Sequence, residues 1–356
     1  MKKEPRIIAK AALDEIIKKS RVHLYKPIQI AEILYRHRTI GDIDLSKLEE
    51  YRTKSKRWRD AISLPLLGRI CTSSAKYQDN LFEENAIPPK ILVILGSENV
   101  KTKGAVEAYI YSRFANKHTQ LAAALEYCQN ANPQNFDVKT FIDSFWNEPG
   151  LRRSIDKVYE IIVYSLFTTL VEAMHLQVKI SITDDALPLL KEFEDFSKKV
   201  MCLDATNVIF AQNANVYRVG VTNAADRGLD MYSNWGPAIQ IKHLTLDEEL
   251  AKSIAEGVTS DKIIIVCKDA DKRVIESILL QIGWGYKIQS VVTESDLVVW
   301  YDKALRGEYA SQLSESLLKT LVEEISNEFP SVNEVPQVLA ERHYETISDE
   351  FWKIEA

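Results

Sequence analysis

Positions 238–242 read Ala-Ile-Gln-Ile-Lys, an alternation with a period of two that predicts a strand with Gln240 and Lys242 on one face and Ile239 and Ile241 on the other. The unbroken apolar run Ile263–Cys267 predicts a strand buried on both faces, and shorter β-rich runs lie at Val178–Ile182 and Ile288–Val292. Helical spacing of apolar residues marks Ile7–Lys19, Ile28–Arg36, Ala105–Gln129 and Leu151–Met174. It returns near Leu246–Glu256, Lys272–Ile282 and Leu313–Phe329, while Pro88-Pro89 and Asn132-Pro133 interrupt the N-terminal helices. Strands alternating with helices predict an α/β core, a central mixed sheet flanked by helices, over residues 147–307. A mostly helical region, 1–146, precedes it, and a helix with a charged tail, 308–356, follows.

Composition narrows the class. A hydrophobic fraction of 46% with 27% charged residues is ordinary for a globular protein. Neither a membrane-spanning apolar run nor an apolar leader is present, so a cytoplasmic protein is expected. Cys71, Cys128, Cys202 and Cys267 are scattered, which argues against a disulfide framework or a zinc site. The net charge of −6 is unevenly divided: residues 1–76 hold 18 Lys and Arg against 9 Asp and Glu, and the remainder 27 against 42. Five of the eight residues Arg52–Arg59 are basic, namely Arg52, Lys54, Lys56, Arg57 and Arg59, with Trp58 among them. That density suits contacts to DNA phosphates, although a solvated helix face has the same composition.

The strand at 238–242 also carries candidate chemistry. Asp230 lies upstream across Asn234-Trp235-Gly236-Pro237, a turn-forming stretch, so the chain can fold back as a hairpin. Opposed residues of antiparallel strands share a face, so Asp230 joins Gln240 and Lys242 only if the loop has an odd number of residues or a bulge shifts the register. A carboxylate and an amide oxygen are hard ligands suited to Mg²⁺, and a neighbouring lysine can orient a water and offset charge on a phosphoryl transition state. An Asp in a turn and a Lys at a strand rim are also common without any catalytic role. The predicted helix 151–174 is apolar almost all round from Val158 onward, with Glu160 and Glu172 as its charged residues. Each either reaches solvent or pairs with Lys157 or Lys179, or is a further catalytic candidate.

The pattern Asp226-x-Gly228-x-Asp230 followed by Gln240-x-Lys242 resembles the Gln variant of the PD-(D/E)xK nuclease superfamily, including its Mrr-like branch. More specifically, Tyr51–Asp60 and Gly68–Asp79, with His23-Leu24-Tyr25-Lys26-Pro27, resemble the HaeII-type family of type II restriction endonucleases, over about residues 7 to 310. The resemblance implies Mg²⁺-dependent cleavage of double-stranded DNA at a short palindrome of the RGCGCY kind. It implies Asp230, Gln240 and Lys242 as the centre, with Asp230 and Gln240 on the metal, and a companion DNA methyltransferase acting on the same site. In PD-(D/E)xK nucleases a helix ahead of the strands often carries a Glu to the metal centre, so the resemblance implies that role for Glu160 slightly ahead of Glu172. A palindromic target implies a homodimer.

Other residues carry less. His243 should face away from Lys242 and serve packing or hydrogen bonding. Asp226 is either a ligand or a cap of the turn at Gly228, and Asp204 has no evident partner. Walker and dinucleotide fingerprints are absent, and Ile87-Pro88-Pro89 lacks the polar residue that opens an amino-methyltransferase motif. Two other readings stay open: a structure-specific repair or recombination nuclease of the same superfamily, and a DNA-binding protein on a nuclease fold without activity.

Overall fold

A computed structural model describes residues 4–71, 74–219, 229–329, 337–347 and 349–353. Asp226 and Gly228 lie outside them. The chain forms two compact units, and neither is a single stretch of sequence. The first takes residues 1–130, 141–155 and 325–356; the second takes 131–140 and 156–324. The division therefore differs from three consecutive segments: the C-terminal residues return to the N-terminal unit. Leu339 and Trp352 show the physical reason, since both are buried in the core built from the N-terminal helices.

The first unit is helical. Its helices Pro5–Lys19, Tyr25–Thr39, Ser55–Leu67, Pro89–Lys101 and Ala105–Gln129 pack through Leu13, Ile28, Ile33, Leu92 and Ile110, all without solvent exposure. Ala105–Gln129 has the bounds that its periodicity predicts. The first two helices run a few residues beyond the predicted ones because Pro5 opens one and Tyr25 and Lys26 precede the apolar run of the other.

The second unit contains a five-stranded mixed sheet in the order β3-β4-β5-β6-β7. Its strands are β3 (Val216–Arg218), β4 (Met231–Ser233), β5 (Ala238–Leu246), β6 (Ile263–Ala270) and β7 (Ile288–Thr293). β3, β4 and β5 pair antiparallel, whereas β5, β6 and β7 are parallel. The parallel strands are joined through Glu248–Gly257 and Lys272–Leu279, as parallel neighbours require a crossover. Ala251, Ile254 and Ala255 of the first of these helices, and Val274 of the second, close over Ala238, Ile263, Ile265 and Cys267. Helix Ile155–Ala173 is tied to the sheet by the Tyr159 hydroxyl, which donates to the Cys267 carbonyl at 2.9 Å. Tyr301 of helix Glu294–Arg306 donates in turn to the Ile162 carbonyl at 2.9 Å. This is the α/β core that the alternation of elements predicts.

The strand predicted at Val178–Ile182 forms, as β1 (Gln177–Ser181), but not in the central sheet. It pairs with β2 (Ile209–Asn213) as a separate two-stranded sheet. Neither strand contains a buried residue, so alternation there does not report a core.

Candidate functional site

Met231 pairs with Ile239 and Tyr232 with Ala238, which sets Asp230 across from Gln240 at the next position of the ladder. The Ser233 amide donates to the Pro237 carbonyl at 3.1 Å, closing a loop of Asn234, Trp235 and Gly236. The loop is odd, so Asp230, Gln240 and Lys242 share a face, as the parity argument demands. Gly236 has φ +123°, a conformation that side chains rarely adopt. Immediately after Lys242 the register between β5 and β6 shifts, so the regular ladder ends where the candidate lysine projects.

The three side chains meet through one oxygen. Asp230 Oδ2 accepts from the Gln240 amide and from the Ile241 backbone amide at 2.8 Å, and Lys242 Nζ lies 3.6 Å away. Gln240 is buried, while Lys242 remains about one-third exposed, so the ammonium stands between the interior and solvent. Burial pushes the Asp230 carboxyl above its usual range, and the Lys242 charge pulls it back.

Glu160 belongs to the same surroundings. It is 3% exposed, and burial raises its carboxyl while Lys157 draws it down. The Asp230 charge acts on it in the raising direction, which sets the two carboxylates in one field. Glu160 Oε2 is ion-paired with Lys157, and among the described residues Oε1 makes no hydrogen bond, meeting Arg218 Nη1 at 3.6 Å. Arg218 also binds Glu324 at 2.6 Å. Glu172 is exposed near the helix end, so of the two glutamates only Glu160 is in this cluster. Arg218 and Glu324 had no sequence signal: one sits on a three-residue strand, the other on a helix with acidic neighbours.

Behind β5, His243 is buried, as a residue of opposite parity should be. Its Nε2 lies 3.0 Å from Glu294, which also meets Lys139 at 3.2 Å. Although burial pushes the Glu294 carboxyl up, the bonds from His243 and Lys139 bring it below its usual range. Tyr159 packs edge-on against the imidazole at 5.0 Å. The ring is thus held from two sides on the strand that carries Lys242.

The basic segment divides. Lys54 and Arg57 are exposed, Lys56 is half-buried, and Arg52 is partly exposed with its guanidinium on Asp79 at 2.9 Å. Arg59 is fully buried, which corrects its assignment to a DNA-facing surface. Its guanidinium bonds Asp60 at 2.6 Å and the Cys71 carbonyl at 2.7 Å, so helical spacing turns it into the unit that the other four cations decorate. Asp204, which has no evident partner in the sequence, accepts from the Thr206 hydroxyl at 2.6 Å and the Asn207 amide at 2.8 Å; it caps a turn.

Among the described residues no three or more His, Cys, Asp or Glu side chains converge as a metal cage. Among the described residues, the oxygen donors near Lys242 include the carboxylates of Asp230 and Glu160 and the Gln240 amide. Also among the described residues, no helix is long and apolar enough to cross a membrane.

The family profile described as HaeII restriction endonuclease matches residues 9–344. The type II restriction enzyme HaeII of Haemophilus aegyptius is 55% identical over 326 residues, covering 92% of this chain and 93% of that protein. The type II restriction enzyme NgoBI of Neisseria gonorrhoeae is 54% identical over 331 residues, covering 93% of this chain and 94% of its own. No solved structure matches the chain.

Proposed function

Because the chain belongs to the HaeII restriction endonuclease family, we propose that it cuts double-stranded DNA as a type II restriction enzyme through a PD-(D/E)xK-like, Mg²⁺-dependent centre. The observation that carries the centre is the ladder position of Asp230 opposite Gln240, two residues before Lys242 on one strand face. The donor set fits a hard cation: two carboxylates and an amide oxygen, with Glu160 Oε1 buried and, among the described residues, making no hydrogen bond. Mg²⁺, when bound, would polarise the phosphodiester and lower the pKa of a coordinated water.

The protein's own residues then have distinct tasks. Asp230 and Glu160 supply negative charge whose burial makes a cation welcome. Gln240 presently donates its amide N–H to Asp230; rotating that amide by half a turn brings its oxygen beside the carboxylate as a neutral ligand. Lys242, partly exposed and near Asp230, would orient the attacking water or take its proton and then offset charge on the phosphorane-like transition state. Lys54, Lys56, Arg57 and Arg52 would hold phosphates and position the duplex.

The target in this reading is a short palindrome of the RGCGCY kind, read by a homodimer in which each subunit cuts one strand, with a companion methyltransferase protecting the host's own sites. Digestion of a sequenced plasmid with Mg²⁺, followed by mapping of fragment ends, tests it. Discrete fragments ending at one palindrome are expected. Cleavage confined to branched or flapped DNA, or binding without cleavage in both Mg²⁺ and Mn²⁺, would overturn it.

A further inference from the structure

Lys157 is the second cation of the centre, and helix stability does not explain it. Its side chain is 15% exposed, and it pairs with Glu160, whose side chain is 4% exposed. An i,i+3 pair adds little to a helix even at the surface, and burial costs both ions their hydration. Tyr159, Ile161, Ile162 and Val163 of the same helix are fully buried, so the pair lies on a helix that is buried almost all round. The ammonium also reaches beyond its own helix: its charge helps draw the Asp230 carboxyl back toward ionisation. Lys157 therefore lies in the field of both carboxylates offered to a metal. Among the described residues that these ion pairs join, charges are matched one for one, with Asp230, Glu160 and Glu324 against Lys242, Lys157 and Arg218.

We propose that Lys157 is an internal counter-cation of the metal centre: in the DNA-free protein its ammonium holds the Glu160 carboxylate, and when metal and DNA enter it passes to a non-bridging phosphate oxygen. This rests on the reading of Asp230, Gln240 and Glu160 as metal ligands. Adding a divalent ion to a balanced cluster leaves two positive charges in excess, and a phosphodiester returns one negative charge. Metal alone therefore meets a cation already in place, while metal with DNA gives that cation somewhere to go. Each ligand raises the affinity for the other, and linkage makes the effect reciprocal.

Binding of Mn²⁺ to the DNA-free protein, followed by electron paramagnetic resonance, tests this without reference to cleavage. Lys157→Gln should bind Mn²⁺ roughly tenfold more tightly than the unaltered protein, the size of effect one neighbouring charge has on a partly buried carboxylate. Lys157→Arg, which keeps the charge, should stay near the unaltered value. The enhancement of Mn²⁺ binding by a short duplex should shrink in Lys157→Gln. Should that variant unfold, Lys157→Met, which keeps the aliphatic stem, supplies the same comparison. Unchanged or weaker Mn²⁺ affinity in a folded, charge-removed variant means the pair is only structural and overturns the proposal. Unaltered Mn²⁺ binding by Asp230→Ala would instead remove the metal reading itself, and the proposal with it.

Discussion

Burial of Asp230 carries a cost that Lys242 and the amides donating to its carboxylate relieve only in part. Burial raises its carboxyl pKa above the ordinary range, with Lys242 offsetting only part of the effect. An acid whose folded-state pKa exceeds its unfolded value binds more protons when folded, so stability falls as pH rises from the unfolded pKa through the folded one. Asp230→Asn should therefore raise the unfolding temperature of the metal-free protein at pH 7, and the gain should vanish below about pH 4, near the ordinary Asp pKa. Thermal unfolding across pH 3–8 checks the sign. The same substitution, like Asp230→Ala or Lys242→Ala, should slow cleavage by at least ~100-fold while leaving duplex binding without a divalent ion intact. Gln240→Leu should act similarly, whereas Gln240→Glu should keep metal binding with an altered metal preference. At this scale the sequence was legible where chemistry and parity coincide, as at Asp230, Gln240 and Lys242. It was silent where a partner comes from afar: composition could not tell buried Arg59 from exposed Arg57, or find Arg218 beside Glu160.

The β4–β5 hairpin is the element on which the centre depends, because its loop length decides which face Asp230 takes. One glycine inserted between Trp235 and Gly236 makes the loop even. Cleavage should then be lost, and a second inserted glycine should restore part of it. Activity of both insertion variants, with circular dichroism as the folding control, reads this out; full activity in the single insertion would mean a bulge absorbs the change. Strands with one partner on each side were readable, since alternation at 238–242 and the apolar run at 263–267 report burial directly. β1 was readable as a strand but not as to its sheet. Its partner Ile209–Asn213 follows four short helical segments, and both strands are too exposed for a hydrophobic pattern to specify pairing. The clamp on His243 was visible only as a side chain facing away from Lys242; Glu294 and Lys139 come from opposite ends of the second unit.

Across the whole molecule, charge and chemistry are divided between the units. The excess of Lys and Arg lies in residues 1–76, inside the first unit, and Asp230, Gln240, Lys242 and Glu160 lie in the second. Replacing Lys54 and Lys56 with Ala should therefore weaken binding to every duplex alike and flatten its salt dependence by roughly one unit of slope per lost phosphate contact, measured with Ca²⁺ in place of Mg²⁺. Arg59→Ala should instead lower stability by roughly 1.5–3 kcal/mol, because it empties a fully buried site and removes charged hydrogen bonds to the partly exposed Asp60 and to the Cys71 carbonyl. The interleaving of the units has a further consequence for synthesis. Residues 156–324 can leave the ribosome and fold as a nuclease core, whereas the N-terminal unit still lacks Phe329, Leu339 and Trp352, and the Arg342 guanidinium that meets Glu32 at 2.6 Å. The helices of residues 5–129 must wait for residues 325–353, which follow the whole of 156–324. A nascent chain would thus hold residues 156–324 complete while the core of its basic unit still lacks these side chains.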